Sequence, residues 1–450
     1  MKATRGAPPR TVDVGPIFDE ARWAPFQKGV LLLVSLLIVL DGLDTQTLAL
    51  ALPAITREWS VGRAAFGPVL AISFISMAVG TALGGMVGDR FGRRVALIGS
   101  ALIFGGGTLA GAGCHDVFML GLTRVIASIG LGAAMPNATA MVAEYTPRKQ
   151  RTLALGIAMG SVPIGTFLGG MIAAWILPTE GWRALFVICG VIPIVGAGML
   201  AIFLPESVRF LIARGRRLER VAPVMAKLGH VARPGEVFVD QGEARETRVS
   251  LATLFEPRYR RDSIGLSVAF FCAIFANLAL VSWSPLLLAD AGYNLSLSSS
   301  GVAIYSIGGL FGAVLGALMI ARTGSRIALG AMIGGALLLC LVLALLPLGP
   351  RVEGGPLLAA YFAAGMFIAG GQVQLFSLAG QIFPTAIRAT GVGFVASVGR
   401  LGAVLSAFLG PLMLTGGNLG LFGGVAAVVL VGGLSLQLIA NHLPPRKAVT

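Results

Sequence analysis

The sequence predicts an all-α polytopic membrane protein with twelve transmembrane helices in two pseudo-symmetric six-helix bundles. Three observations predict it. Apolar runs of membrane-spanning length recur twelve times, Lys and Arg gather in alternate loops, and the second half repeats short motifs of the first.

Composition sets the solvent. Of 450 residues, 56% are hydrophobic and 12% charged, and the mean hydropathy is +0.86. A soluble domain of this size needs more charge to cover its surface, so lipid is the natural solvent. Cys114, Cys189, Cys272 and Cys340 stand singly in apolar runs with no CxxC or His-x-Cys spacing, and His115, His230 and His442 are far apart. Neither a disulfide framework nor a metal site is predicted, and no cofactor.

A bilayer core of about 30 Å takes roughly 20 apolar residues per helix. Charge-poor runs of that length cover 29–52, 64–87, 95–113, 117–142, 152–177 and 184–204, then 263–288, 298–320, 327–347, 357–381, 387–411 and 418–440. We number them spans 1 to 12. The weakest breaks are Cys114-His115-Asp116 and Thr415-Gly416-Gly417-Asn418. Span 1 carries Asp41 and Asp44 and ends without a small-residue cleavage site, so it is read as a retained span and not a signal peptide. The domains expected are a tail at 1–28, a bundle at 29–204, a central loop at 205–262, a second bundle at 263–440 and a tail at 441–450.

Orientation follows from the cations. Of the 34 Lys and Arg, Arg57, Arg63, Arg183 and Arg351 fall in one set of loops, Arg124 and Arg400 fall inside spans, and the remaining 28 lie in the tails and the other loops. That bias predicts both termini in the cytoplasm of an inner (plasma) membrane. It also accounts for the net charge of +14 without nucleic acid.

The halves echo each other. Pro147, Arg151 and Gly156 have the same spacing as Pro384, Arg388 and Gly393, 237 residues on. Arg90-Phe91-Gly92-Arg93-Arg94 is echoed by Arg322-Thr323-Gly324-Ser325-Arg326, 232 residues on. Parallel six-helix repeats place a substrate site between the halves near the membrane midplane and let the halves rock about it.

Ionisable residues inside spans cost several kcal/mol and are functional candidates by default. Asp41, Asp44, Arg124 and Arg400 come out at one level, about 20 Å from the cytoplasmic end at 1.5 Å per residue. Asp41 and Asp44 are three apart and share a helix face. Two carboxylates so close cannot both ionise cheaply, which suits one of them to carrying a proton. Arg124 would hold the other as an anion or reset the pair by moving; the competing reading is an ion pair that only locks span 1 to span 4. Arg400 has no acidic partner in the second half's core, so a substrate carboxylate is its simplest partner, through a bidentate fork. Its alternative is a pairing with Asp41 or Asp44 across the halves.

Asn277 on span 7 and Tyr305 on span 8 fall at a similar depth, with Gln372 and Gln374 lower on span 10. Phe270, Phe271 and Phe275 offer either a stacking surface for an aromatic substrate or ordinary helix packing. Trp283 falls near the outer interface and reads as a belt anchor. Gly156, Gly160, Gly165 and Gly169 on span 5, and Gly308, Gly309, Gly312 and Gly316 on span 8, are small-residue patterns that let helices approach closely.

Gly88-Asp89-Arg90-Phe91-Gly92-Arg93-Arg94 resembles the loop 2–3 signature of the major facilitator superfamily. In span 1, Asp41-Gly42-Leu43-Asp44 resembles the superfamily's aromatic acid:proton symporters, importers of 4-hydroxybenzoate, protocatechuate and related compounds. The run from Arg124 to Pro136 with Gly130 and Gly132, then Glu144, is similar too, as are Arg388-Ala389-Thr390-Gly391-Val392-Gly393 and Gly399-Arg400-Leu401-Gly402. The resemblance implies that Asp41 and Asp44 serve proton coupling. It also implies that Asp89 braces the start of span 11 when the cytoplasmic side closes, in a network with Arg90, Arg94, Glu144 and Arg388, the gate comprising Gly88, Gly92 and Arg93 as well. Pro205-Glu206-Ser207-Val208-Arg209-Phe210 is shared with sugar porters and discriminates little. The second-half loop Ala321–Arg326 lacks an acid matching Asp89.

The function predicted is proton symport of a small, aromatic carboxylate through alternating access by a monomer. Asp41, Asp44 and Arg124 would handle protons, and Arg400, Asn277, Tyr305 and Gln372 the substrate. A sugar or polyol porter leaves Arg400 unexplained, since a neutral ligand needs no cation. A proton-driven drug exporter would use the same proton machinery in reverse. A membrane enzyme or receptor fits least, because no Ser/His, Cys/His or metal constellation lies in the spans.

Overall fold

The computed structural model describes residues 10–20, 23–213, 218–227, 236–239, 251–346, 349, 354–383 and 387–442. Among them, twelve helices are long and apolar enough to cross a membrane. Spans 1 to 6 are Pro25–Trp59, Arg63–Phe91, Arg93–Gly111, Val117–Tyr145, Leu153–Thr179 and Gly181–Phe203. Spans 7 to 12 are Arg260–Asp290, Leu295–Thr323, Ser325–Leu345, Gly354–Ile382, Gly391–Thr415 and Leu419–Leu438. Most overrun the charge-poor stretches that marked them, because such a stretch measures the lipid-buried section while the helix continues into the polar interface.

Span 1 differs most from its expected bounds. It is broken at Gln46, whose φ of −99° and ψ of −4° separate Pro25–Thr45 from Thr47–Trp59. The Thr45 and Thr47 hydroxyls donate to the carbonyls of Asp41 (2.8 Å) and Leu43 (3.3 Å), occupying backbone acceptors beside the break. Such side-chain donors let a spanning helix tolerate an interruption. Spans 10 and 12 carry π-helical turns at Gly365–Ala369 and Leu419–Gly423.

The internal repeat is visible in the backbone. Gly92 (φ 106°, ψ 151°) and Gly324 (φ 84°, ψ 163°) make the same turn into spans 3 and 9, in a region that side-chain-bearing residues avoid. Packing repeats as well. Span 1 lies on span 5 as span 7 lies on span 11, and span 2 lies on span 4 as span 8 lies on span 10. Close approach needs glycine in both halves: a Cβ at Gly165 would sit 2.0 Å from the Val39 carbonyl oxygen, and one at Gly312 would sit 1.9 Å from that of Met366. Not all of the small-residue pattern packs, however. Gly156 and Gly160 have nothing among the described residues within 4 Å of where a Cβ would be.

The reason is that the halves part toward the side where span 1 begins and span 12 ends, here the near side. At the far side one buried apolar cluster joins residues of both halves, with Gly170 against Ala303 and Gly67 against Ala407. At the near side the buried residues fall into two clusters, one in each half. Gly85, Gly156, Gly160 and Gly393 there face open space. The molecule is therefore closed at the far side and open at the near side.

Two expectations are corrected by packing. Trp283 is not a belt anchor: it is fully buried and donates through Nε1 to the Ser406 carbonyl at 3.1 Å, in a space that Gly410 leaves open. Hydropathy gave its depth but not the direction it faces. Nor are residues 1–28 only a polar tail. Arg10–Asp13 pairs in parallel with Glu236–Val239 of the central segment, and the helix Val14–Glu20 buries Val14 and Phe18. Phe18 meets Tyr145 edge to face at 5.7 Å. The central segment, expected as a loop, also holds the helices Val208–Ala213 and Leu218–Lys227.

Candidate functional site

In the first half, the acids and the base of the spans come together. The Asp44 carboxylate lies 3.6 Å from Arg124 Nη2, with both side chains almost fully buried. Arg124 Nη1 also donates to the Thr108 hydroxyl of span 3 at 3.1 Å, a partner the sequence did not single out. At 3.6 Å the ion pair is loose, so Arg124 is shared between a carboxylate and a hydroxyl. Arg124 also lines a crevice with Thr45, Ser73, Phe74 and Ser128 of its own half and Ser282 of span 7. It thus stands between Asp44 and the boundary of the two halves. Asp41 is buried one turn away, and its Oδ1 has no hydrogen-bond partner among the described residues.

In the second half, three of the polar residues meet. The Tyr305 hydroxyl donates to Asn277 Oδ1 at 2.8 Å, and Asn277 Nδ2 donates to Gln372 Oε1 at 3.0 Å. Gln374 does not join them; its amide donates to the Ala313 carbonyl of span 8 at 2.8 Å. Arg400 is exposed and forms no ion pair with Asp41 or Asp44 among the described residues. Two exposed stripes run along span 11. Leu401, Leu405, Phe408 and Leu412 form an apolar one suited to lipid, while Gly393, Ser397 and Arg400 form the other. The latter stripe shares a helix face with Ala407 and Pro411, which meet Gly67 of the other half at the far side, so nearer the open end it faces the opening. Of the aromatic residues on span 7, Phe270 and Phe275 are fully buried in packing, and Phe270 meets Phe376 edge on at 4.7 Å. Phe271 alone of the three is partly exposed.

The near-side signature forms a network within the first half. Arg93 pairs with Asp89 at 2.6 Å and Glu144 at 3.7 Å and donates to Asn137 Oδ1 at 3.4 Å. Asn137 Nδ2 donates in turn to the Gly84 carbonyl at 2.8 Å, and Gly88 leaves the space that Asn137 fills. Glu206 accepts from the Arg94 backbone N–H at 3.0 Å, placing a carboxylate at the start of span 3, where the helix dipole favours it. Its side chain lies against Gly92. The Arg94 guanidinium reaches the Ala201 carbonyl, the Ser207 hydroxyl reaches Glu144, and Arg90 lies over the Phe91 ring. Asp89 thus braces Arg93 of its own half, in a structure whose near side is open. The side chain of Arg388 lies outside the described residues. Glu206 and Asn137 were missed as network members; the acid directly following span 6 was the available signal for Glu206.

The Major Facilitator Superfamily profile matches residues 34–407. The chain is 34% identical to the 4-hydroxybenzoate transporter PcaK of Pseudomonas putida over 92% of each chain. It is 33% identical to the gallate transporter of Pseudomonas putida, over 90% of this chain and 89% of that one. Among solved structures, the partially occluded, inward-open xylose transporter XylE from E. coli superimposes with a TM-score of 0.69 at 18% identity, covering 93% of this chain and 98% of that one. Twelve apolar spans, a repeated six-helix bundle and these likenesses agree: the chain is a multi-pass transporter and not an enzyme, and it belongs to the major facilitator superfamily, among its aromatic acid transporters.

Proposed function

We propose that this protein imports a small aromatic carboxylate across the inner membrane by proton symport, acting as a monomer with both termini in the cytoplasm. The near side is then cytoplasmic and the arrangement inward-open. The observation that carries the reading is the position of Arg124, buried between Asp44 and a crevice at the boundary of the halves. A proton on Asp44 cancels the charge that holds Arg124, so protonation and the boundary between the halves are linked through one side chain. Asp41 adds a second buried carboxylate, which forms no ion pair among the described residues.

Arg400 supplies a cation on the opening's wall in the other half, and a substrate carboxylate satisfies it by a two-pronged hydrogen bond. Asn277, Tyr305 and Gln372 line the same half as neutral donors and acceptors. Asp89, Arg93, Arg94 and Glu144 act as the cytoplasmic gate with Gly88, Arg90, Gly92 and Arg388, exchanging partners as the halves close.

The test is uptake of labelled benzoates, cinnamates and sugars into proteoliposomes with and without an uncoupler. Hydroxybenzoate accumulation that collapses with the uncoupler supports the reading. Accumulation of sugars alone, or carboxylate uptake indifferent to the proton gradient, overturns it.

A further inference from the structure

Thr108 stands where span 3 is wedged between two neighbours of its own half. Glycines beside it allow that approach. A Cβ at Gly107 would sit 2.7 Å from the Ala127 backbone nitrogen of span 4, and one at Gly190 of span 6 would sit 2.5 Å from that of Leu109. The packing leaves Thr108 fully buried and within reach of Arg124.

Its hydroxyl is not spent on its own helix. Hydroxyls inside these spans commonly donate to the carbonyl four residues back, as Ser100 of span 3 does to Ala96 at 2.7 Å. Thr108 makes no such bond among the described residues and instead accepts from Arg124 Nη1 at 3.1 Å. Neither oxygen of Asp44 has a hydrogen-bond partner among the described residues, so Thr108 serves the guanidinium and not the carboxylate. The titratable neighbours are few. Span 1 brings Asp41 and Asp44, span 4 brings Arg124 itself, and span 6 brings the thiol of Cys189. The membrane interiors of spans 2, 3, 5 and 7 carry no acidic or basic side chain. Arg124 therefore faces a carboxylate and a hydroxyl while Asp44 is ionised, and keeps the hydroxyl when Asp44 holds a proton.

We propose that Thr108 is a positioning residue for proton coupling, holding Arg124 in place while Asp44 carries the proton. This rests on the reading in which Asp44 is a proton carrier. A buried guanidinium that loses its carboxylate partner still needs an acceptor, and Thr108 supplies one without moving. Loss of that hydroxyl burdens the two protonation states unequally. With Asp44 ionised, Arg124 can close the loose 3.6 Å pair and recover most of what it lost. With Asp44 protonated there is no carboxylate to close on, and the guanidinium is left short of an acceptor. Protonation becomes the harder step, so uptake needs a more acidic outer side. The imbalance is that of one hydrogen bond to a charged group, about tenfold, which is about one pH unit.

The experiment follows initial uptake of labelled 4-hydroxybenzoate into proteoliposomes with a buffered lumen as the outer pH is lowered. It compares wild type, Thr108→Val, Thr108→Ser, Thr108→Ala and Asp44→Asn. Valine keeps the volume without the hydroxyl, and serine keeps the hydroxyl. Thr108→Val is expected to reach half-maximal uptake about one pH unit below wild type, and Thr108→Ser to return to the wild-type midpoint. Asp44→Asn is expected to lose accumulation at every pH. With Asp44→Asn inactive, a wild-type midpoint in Thr108→Val, or a uniform loss of rate without a shift, overturns this inference alone, because Thr108 then only packs. A shift toward alkaline pH overturns it too, since the hydroxyl would then serve the carboxylate. Normal accumulation in Asp44→Asn overturns the proton reading beneath it, and this inference with it. Should Thr108→Val fail to reach the membrane, an unshifted midpoint in Thr108→Ala overturns the proposal by itself.

Discussion

Arg63 Nη1 stands 2.9 Å from the Asp290 carboxylate, an ion pair that ties the start of span 2 in one half to the end of span 7 in the other. Arg57 adds a second tie, donating to the Ala289 carbonyl at 3.3 Å. Both lie at the far side, where the halves are closed, and both must break for that side to open. The ion pair is about two-fifths exposed, so it is worth about 0–1 kcal/mol. Asp290→Asn should therefore raise the far-side-open population by about fivefold at most, without affecting insertion. Spin labels at Ser60 and Gly416 would report it as a growing long-distance component. Identical distance distributions in wild type and variant would remove the latch.

Asp41 and Asp44 should separate cleanly under mutation. Asp44 pairs with Arg124 in a buried site, and removing one partner of such a pair costs about 3–5 kcal/mol. Asp44→Asn should lower thermal stability in detergent, and adding Arg124→Gln should restore much of it. Asp41 Oδ1 has no partner to lose, so Asp41→Asn should leave stability within about 0.5 kcal/mol. Both asparagine variants should lose uphill, proton-driven accumulation, while counterflow exchange survives in Asp41→Asn. Normal accumulation in Asp41→Asn would remove its proton role, and equal stability losses in both would contradict the packing.

Two glycines of span 5 should respond oppositely to added volume. A Cβ at Gly165 would meet the Val39 carbonyl at 2.0 Å, so even Gly165→Ala must push span 1 away, carrying Asp41 and Asp44 with it. Overpacking of this kind costs about 1–3 kcal/mol. At Gly156 none of the described residues lies within 4 Å, so Gly156→Leu should leave the near-side-open form as stable as wild type. It should nonetheless slow transport, because the near side cannot close over a leucine. Thermal unfolding alongside initial uptake rates decides this. Wild-type transport in Gly156→Leu would mean that this stretch of span 5 never meets the other half.

What the sequence made legible follows from what lipid enforces. Backbone groups in hydrocarbon must pair within the helix, so span number and approximate ends could be read from apolar runs. The turn glycines Gly92 and Gly324 were readable because their conformation admits few other residues. The Asp44–Arg124 meeting was readable because a charge in lipid needs a partner and helical rise fixes its height. Height says nothing of azimuth, however, and Trp283, Phe270 and Phe275 were therefore open to misreading until their neighbours were seen. The break at Gln46 and the π-turns depend on hydroxyl donors and packing that leave no mark on hydropathy. The bracing of Arg93 by Asp89 depends on which side of the molecule is open, and sequence encodes both states at once.

The strand Arg10–Asp13 had no readable signal, being four residues in a mixed-charge segment, yet it makes a specific claim about motion. It pairs with Glu236–Val239, and the helix after it packs on Tyr145 of span 4, whose hydroxyl donates to the Glu206 carbonyl at 2.6 Å. All these contacts belong to the first half, so the N-terminal segment and the central strand should travel with that half as one body. Thr11 and Val237 are register partners, and cysteines placed there should cross-link in both conformations. The cross-linked protein should transport at nearly the wild-type rate, since no contact that must change is frozen. Removing residues 1–13 should loosen the central segment, raising its protease sensitivity by about tenfold while leaving the spans folded. A cross-link that stops transport would show that the strand pair opens during the cycle, and an unchanged digestion rate after truncation would show that the pairing does not hold the segment in place.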